Sequence, residues 1–274
     1  MTLSRLNGVF TALVTPFKDG EVDIDCFEKL CQRQLQAGIA GLVPCGTTGE
    51  TPTLTSEEWE LLISTTVRVC ANQVPVIAGC GTNATNTTVA NIKRAKELGA
   101  DAALVVFPYY NKPNPEGLKE HVRQACSVGL PIVLYHVPGR TGQRLSAQQL
   151  EDLCRIEGVV GLKEATGDVT LGQELINRLA DTSVALLSGD DFTYAALVAM
   201  GFDGVISVLS NPLPEESVAW CNAAQQGDIP LLQQLRFELL PVVTALFAET
   251  NPIPCKKMMA KEGLLTYGVR LPLM

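Results

Sequence analysis

The chain is poor in the residues that build metal and redox sites. It has two histidines, and none of its nine cysteines stands in a C-x-x-C arrangement. A zinc site is therefore not expected. The cysteine count is odd and several thiols sit inside apolar patterns such as "RVCANQ" and "EDLCRI", which reads as reduced, mostly buried cysteine. Long apolar runs are missing too: Ala102 to Phe107 is typical of the longest, against the roughly 20 residues needed to cross a bilayer. The opening "MTLSRLNGVF" holds no apolar signal core, so a cytoplasmic location is expected. Positive charge is scarce. With 21 Lys and Arg against 29 Asp and Glu, the net charge of -8 excludes a broad surface for nucleic acid or anionic membrane.

What is present is apolar alternation. A chain of 274 residues, 46% of them hydrophobic, can bury a sizeable core. Eight short runs read as buried strands: Gly8–Phe17, Gly41–Gly46, Val74–Gly81, Ala102–Tyr110, Pro131–Pro138, Gly158–Ala165, Val184–Asp190 and Gly204–Ser210. Between them lie amphipathic segments, such as "DIDCFEKLCQRQLQAG", whose Phe27, Leu30, Cys31 and Leu35 form one face. "LTSEEWELL" has a helix N-terminus signature, and "QAG", "ELG" and "SVG" end other helices with glycine. Near-continuous apolar strands joined by helices predict a parallel sheet covered on its faces. Eight such units, with no G-x-G-x-x-G after the first, fit an α/β fold of the closed (β/α)8 TIM-barrel type better than an open dinucleotide-binding sheet. The barrel is expected over residues 1–226. Residues 227–274 read as a C-terminal helical extension, without strands.

Barrel chemistry gathers where strands end. The second strand ends in "GTTGE", whose glycines and hydroxyls suit either a carboxylate cradle or an ordinary βα turn. The fifth ends in "YHVPGRTG", the sixth carries Lys163, and the seventh ends in "SGDD". Alternation sends Lys163 and Glu164 to opposite faces, so no adjacent carboxylate offsets a buried ammonium. The strand either ends at Leu162 and frees the lysine to water, or holds its amine desolvated as a nucleophile. Tyr135, one βα unit earlier, can lie beside it. Arg140 can hold an anion from its loop, although a solvated loop arginine is commoner. Tyr109 and Tyr110 suit packing or an interface. His136 should face outwards if Tyr135 faces in, and Asp190 and Asp191 suit a helix N-cap. An amine, a phenol, a possible carboxylate cradle and an arginine at one mouth, with no metal or cofactor motif, point to imine chemistry on a keto acid.

These motifs carry a resemblance. In order and spacing, "GTTGE", "PYYNKP", "YHVPGRTG", "GLKEATGD", "LSGDD" and "NPIPCK" resemble the dihydrodipicolinate synthase / N-acetylneuraminate lyase superfamily of pyruvate-dependent aldolases, over nearly the whole chain. The resemblance implies that Lys163 forms the Schiff base with pyruvate. It implies that Thr47 and Thr48 bind the pyruvate carboxylate, that Thr47, Tyr135 and Tyr110 relay protons, and that Gly189 and Ile206 line the substrate site. It also implies a homotetramer, a dimer of dimers, with Tyr110 supplied across the tight dimer. The arginine of "VPGRTG" points to aspartate semialdehyde as second substrate, giving 4-hydroxy-tetrahydrodipicolinate in the diaminopimelate route to lysine. The alternatives are an aldolase or lyase acting on a sugar-derived keto acid, and a non-catalytic relative that binds a small acid. Relatives inhibited by lysine line a cleft with a glutamate and histidines. Here Asn83 and Tyr109 match that cleft, but Thr87 stands at the glutamate position and Ser56 and Trp59 at the histidine positions, so weak or absent feedback is expected. Relatives also continue beyond "RLPL" for a further helical stretch.

Overall fold

A computed structural model describes residues 6–274. Residues 1–5, which begin the stretch where no signal core was read, lie outside the described residues. Each of the eight apolar runs contains one strand: β1 Gly8–Ala12, β2 Gly41–Val43, β3 Ile77–Gly79, β4 Ala102–Val106, β5 Ile132–His136, β6 Val159–Glu164, β7 Ala185–Ser188 and β8 Gly204–Ser207. The strands are shorter than the runs because the last residues of each run already turn into the loops that carry the site. All neighbours pair in parallel, in the order β2-β1-β8-β7-β6-β5-β4-β3. A parallel bridge between Leu42 and Val76 brings β2 to β3 and closes the barrel.

Alternation sorts the strand residues into two layers. Phe10, Ile77, Leu104, Val133, Leu187 and Ile206 fill the barrel interior. Val9, Val105, Leu134, Leu162 and Leu186 face outwards, where the helices cover them. Strand β6 departs from simple alternation. Its pairing with β5 shifts between Ile132 and Val133, so Ile132 meets Val159 but Val133 meets Gly161. The extra residue, Val160, packs against the interior cluster, while Leu162 joins the outer one. Strict alternation from Val160 would turn Leu162 and Glu164 inward; the bulge turns Lys163 inward instead.

The helices are capped largely as their sequences indicate. Thr55 and Glu58 form a reciprocal capping box on the helix Ser56–Cys70. Gly38, Gly99 and Gly129 follow helix ends with positive φ. The helix Ile24–Gln36 buries Phe27, Leu30 and Cys31 as expected, but also Gln34. That amide is satisfied: its oxygen accepts from the Thr11 hydroxyl at 2.8 Å and its nitrogen donates to the Ser210 carbonyl at 2.9 Å. Asp190 and Asp191 differ from expectation. The next helix starts only at Tyr194, with Thr193 as N-cap. Asp191 instead accepts from the backbone N–H groups of Val208 and Leu209, at 2.8 and 3.0 Å, just beyond β8.

After β8 the chain forms the helices Pro214–Gln226, Ile229–Leu246 and Ile253–Lys261. Gly227, at φ +69°, ends the first. Proline begins the last at its first turn, and this helix returns to the barrel mouth, where Lys256 meets Glu50. No helix among the described residues is long and apolar enough to cross a membrane.

Candidate active site

Two neighbouring strands supply the reactive pair. Tyr135 on β5 and Lys163 on β6 occupy matched register positions, and Tyr135 belongs to the interior cluster. The Lys163 Nζ lies 4.2 Å from the centroid of the Tyr135 ring. Only 6% of Lys163 is exposed. Burial pushes its amine down from 10.5 to about 8; Asp191 opposes that shift, and the Arg140 guanidinium adds to it. A useful fraction of the amine is thus neutral near neutral pH. Burial pushes the Tyr135 phenol up, while Arg140 and the Thr47 hydroxyl pull it partly back.

The outward-facing neighbours form a separate pair. His136 and Glu164 are both buried, with His136 Nδ1 3.3 Å from Glu164 Oε1. The His136 Nε2 accepts from the Leu145 N–H at 3.2 Å, which places the ring proton on Nδ1, facing the carboxylate. His136 is a structural residue of the barrel wall.

Gly189, just past β7, is required by the amine. A Cβ there would lie 2.7 Å from both Lys163 Cε and Ala165 Cβ. Its N–H donates to the Glu164 carbonyl at 2.7 Å, which fixes the backbone beside the lysine. Ile206, on β8, is buried in the barrel interior.

The "GTTGE" turn is closed by its own backbone, Gly49 N–H to the Gly46 carbonyl and Glu50 N–H to the Thr47 carbonyl, both at 3.1 Å. Thr47 lines a cavity of about 600 Å³ together with Tyr135, Arg140 and Thr141. Thr48 is buried and its hydroxyl accepts from the Asn251 amide at 2.9 Å. Arg140 lies on the short helix Pro138–Thr141, and its Nη2 reaches the Asn251 carbonyl at 3.5 Å. That contact is at the limit of a hydrogen bond, which leaves the guanidinium able to engage an incoming anion.

The same cavity extends away from Tyr135 and Thr47, past Ser56, Trp59, Glu60, Arg94 and Tyr109. Trp59 is largely buried, and its indole N–H donates to the Gly79 carbonyl at 2.9 Å. Glu60 is held by Arg94 through two hydrogen bonds, at 2.8 and 2.6 Å. Thr87 is exposed on the helix Thr85–Glu97, and the Asn83 carbonyl accepts from the Asn111 amide at 2.7 Å. Tyr110 stands apart. It is 89% exposed, at φ +73°, so its phenol is not held within the site of its own chain.

Some residues packed beside the site have no role assigned by the sequence. Asn251, Lys256 and Glu50 sit inside quoted motifs, but nothing in the spacing of "GTTGE" and "NPIPCK" says that the two motifs touch. Asp191 caps no helix; it holds the turn just beyond β8.

The comparisons with known proteins agree with the barrel architecture. Residues 5–274 match the model of the dihydrodipicolinate synthetase family. The 4-hydroxy-tetrahydrodipicolinate synthase of Thermodesulfovibrio yellowstonii is 46% identical over 267 residues, covering 97% of this chain and 91% of its own. Among solved structures, dihydrodipicolinate synthase from Thermotoga maritima superposes with a TM-score of 0.95 at 40% identity, covering 98% and 93% of the two chains. The chloride-inhibited enzyme from Acinetobacter baumannii, solved with pyruvate, gives 0.95 at 42% identity over the same shares. A parallel eight-stranded barrel with a buried amine beside a phenol at its mouth defines an enzyme of the Schiff-base aldolase class. The chain belongs to the dihydrodipicolinate synthetase family.

Proposed function

We propose that this chain joins pyruvate to aspartate semialdehyde through an imine on Lys163, giving 4-hydroxy-tetrahydrodipicolinate for the diaminopimelate route to lysine. One observation carries the reading: the Lys163 amine, buried and lowered to about 8, lies against the Tyr135 ring at the barrel mouth. The neutral Nζ attacks the keto carbon of pyruvate, and loss of one water leaves the imine. Removal of a proton from the pyruvate methyl group gives an enamine, whose carbon attacks the aldehyde. The alkoxide formed takes up a proton. The amino group of the second substrate then attacks the imine carbon, closing the ring and releasing Lys163. One water is lost overall.

Thr47 and Thr48 hold the pyruvate carboxylate, and Arg140 holds that of aspartate semialdehyde. Gly189 and Ile206 shape the pocket floor. Thr47, Tyr135 and Tyr110 carry protons to and from the reacting atoms. Tyr110 serves the site of a neighbouring copy, a reading supported by its exposure and left-handed backbone. The assembly is then a homotetramer built from tight dimers, working in the cytoplasm. The test is a coupled assay with pyruvate and aspartate semialdehyde, alongside borohydride trapping of pyruvate and mapping of the labelled peptide. Labelling of a lysine other than Lys163 would falsify the mechanism. Turnover only with sugar-derived aldehydes would replace the second substrate.

A further inference from the structure

Where the last helix meets the barrel, two buried charges face one another. Lys256 Nζ donates to Glu50 Oε1 at 2.6 Å, and neither side chain has more than 1% of its surface in solvent. The Lys256 ammonium also lies 4.3 Å from the centroid of the Phe17 ring. Glu50 Oε2 accepts from the Arg270 N–H at 3.0 Å. A buried ion pair is weak evidence for stability, because apolar residues of equal volume often serve as well. Cohesion alone does not account for it.

The partners of the pair lie at the carboxylate cradle. Glu50 ends "GTTGE" in the left-handed region, at φ +55°, and its N–H is bonded to the Thr47 carbonyl. The direction of that peptide unit therefore sets the direction of the turn that carries Thr47 and Thr48. The segment that brings in Lys256 also brings Asn251, which donates to the Thr48 hydroxyl. Charge adds a second reason. Glu50 is an acid two residues from a site that must accept an anion, and Lys256 neutralises it.

We propose that Lys256, acting through Glu50, is a positioning residue for the pyruvate carboxylate: it orients the Thr47–Thr48 turn and cancels the charge that would repel the substrate. It sets pyruvate affinity and leaves the chemistry at Lys163 alone. The inference rests on the reading of Thr47 and Thr48 as the cradle.

The test compares borohydride trapping across a range of pyruvate concentrations in the unaltered protein and in Lys256→Met. The half-saturating pyruvate concentration is expected to rise about tenfold or more, with the trapping rate at saturation and the KM for aspartate semialdehyde within about twofold. Glu50→Gln/Lys256→Met, which removes both charges, should recover part of that loss. An unchanged pyruvate requirement with a lowered melting temperature makes the pair structural and overturns the proposal, as does an equal loss of affinity and rate. Should the variants not fold, hydrogen–deuterium exchange on the unaltered protein decides. Pyruvate should slow exchange in both 46–53 and 250–258, and protection confined to the first segment overturns the coupling. If the unaltered protein is not trapped at Lys163, the site reading falls and this inference with it. If it is trapped and the variant matches it, this inference alone falls.

Discussion

Lys163 and Tyr135 stand at paired register positions on adjacent strands, with the amine 4.2 Å from the centre of the phenol ring. Both face the barrel interior, and their chain neighbours Glu164 and His136 form their own pair in the outer layer. An ammonium is thus kept from the nearest carboxylate in sequence. That separation lets burial lower its affinity for a proton.

The first consequence is a pH dependence. Trapping of pyruvate by borohydride, followed in single turnovers, should speed up as pH rises and level off above about 8, where the amine is neutral. A plateau deferred to pH 10 or beyond would mean that the amine is not desolvated.

A stability effect follows from the same shift. The folded state releases the Lys163 proton near pH 8 and the unfolded state near 10.5, so below pH 8 burial of the ammonium opposes folding in full. The drop corresponds to about 3 kcal/mol at 1.36 kcal/mol per pH unit. Lys163→Met should therefore be inactive yet more stable at pH 7, by ~1–3 kcal/mol in denaturant melts. The gain should shrink between pH 8 and 10.5. A variant less stable than the parent at pH 7 would show that the amine is not strained.

Arg140 tests the second substrate. A charge-assisted pair with its carboxylate contributes roughly 1.5–3 kcal/mol. Arg140→Ala should lower kcat/KM for aspartate semialdehyde by about 10- to 100-fold while pyruvate trapping stays near normal. Equal loss of both would place Arg140 in the fold or the pyruvate site.

Tyr110 tests the assembly. Within its own chain the side chain is exposed, so Tyr110→Phe should change the stability of the single subunit by no more than about 0.5 kcal/mol. Turnover should fall about tenfold or more if the phenol carries a proton for a neighbouring copy. Mixed dimers of Tyr110→Phe and Lys163→Met subunits should retain one site with both groups intact. Full activity of Tyr110→Phe would remove it from the relay.

Feedback by lysine should be weak. The cavity that Tyr135 and Arg140 line does contain an acid, Glu60, but Arg94 already holds both its oxygens. The Trp59 indole is fixed to Gly79, and Thr87, at the position expected to pair with the ligand's ammonium, carries no charge. Burying that charge without a partner is expensive. Half-inhibition at sub-millimolar lysine would show that Glu60 exchanges Arg94 for the ligand.

Much of this protein is written in its sequence. Eight apolar runs separated by amphipathic segments dictate a parallel barrel, because each run must be buried on both faces and each helix on one. Where the runs end dictates which loops share the mouth, so Thr47, Tyr135, Arg140 and Lys163 could be chosen as site residues by position. Alternation also separated His136 from Tyr135 correctly. Tertiary structure decided the rest. The direction of Lys163 depends on one extra residue in β6, a pairing irregularity that shows only against β5. Asp191 departs from the N-cap expectation because its donors, the backbone N–H groups of Val208 and Leu209, come from another strand end. The contacts of Asn251 with Thr48 and of Lys256 with Glu50 join residues more than 200 positions apart. Local propensity acts over a few residues, whereas hydrogen bonds and buried charges choose partners by distance in space.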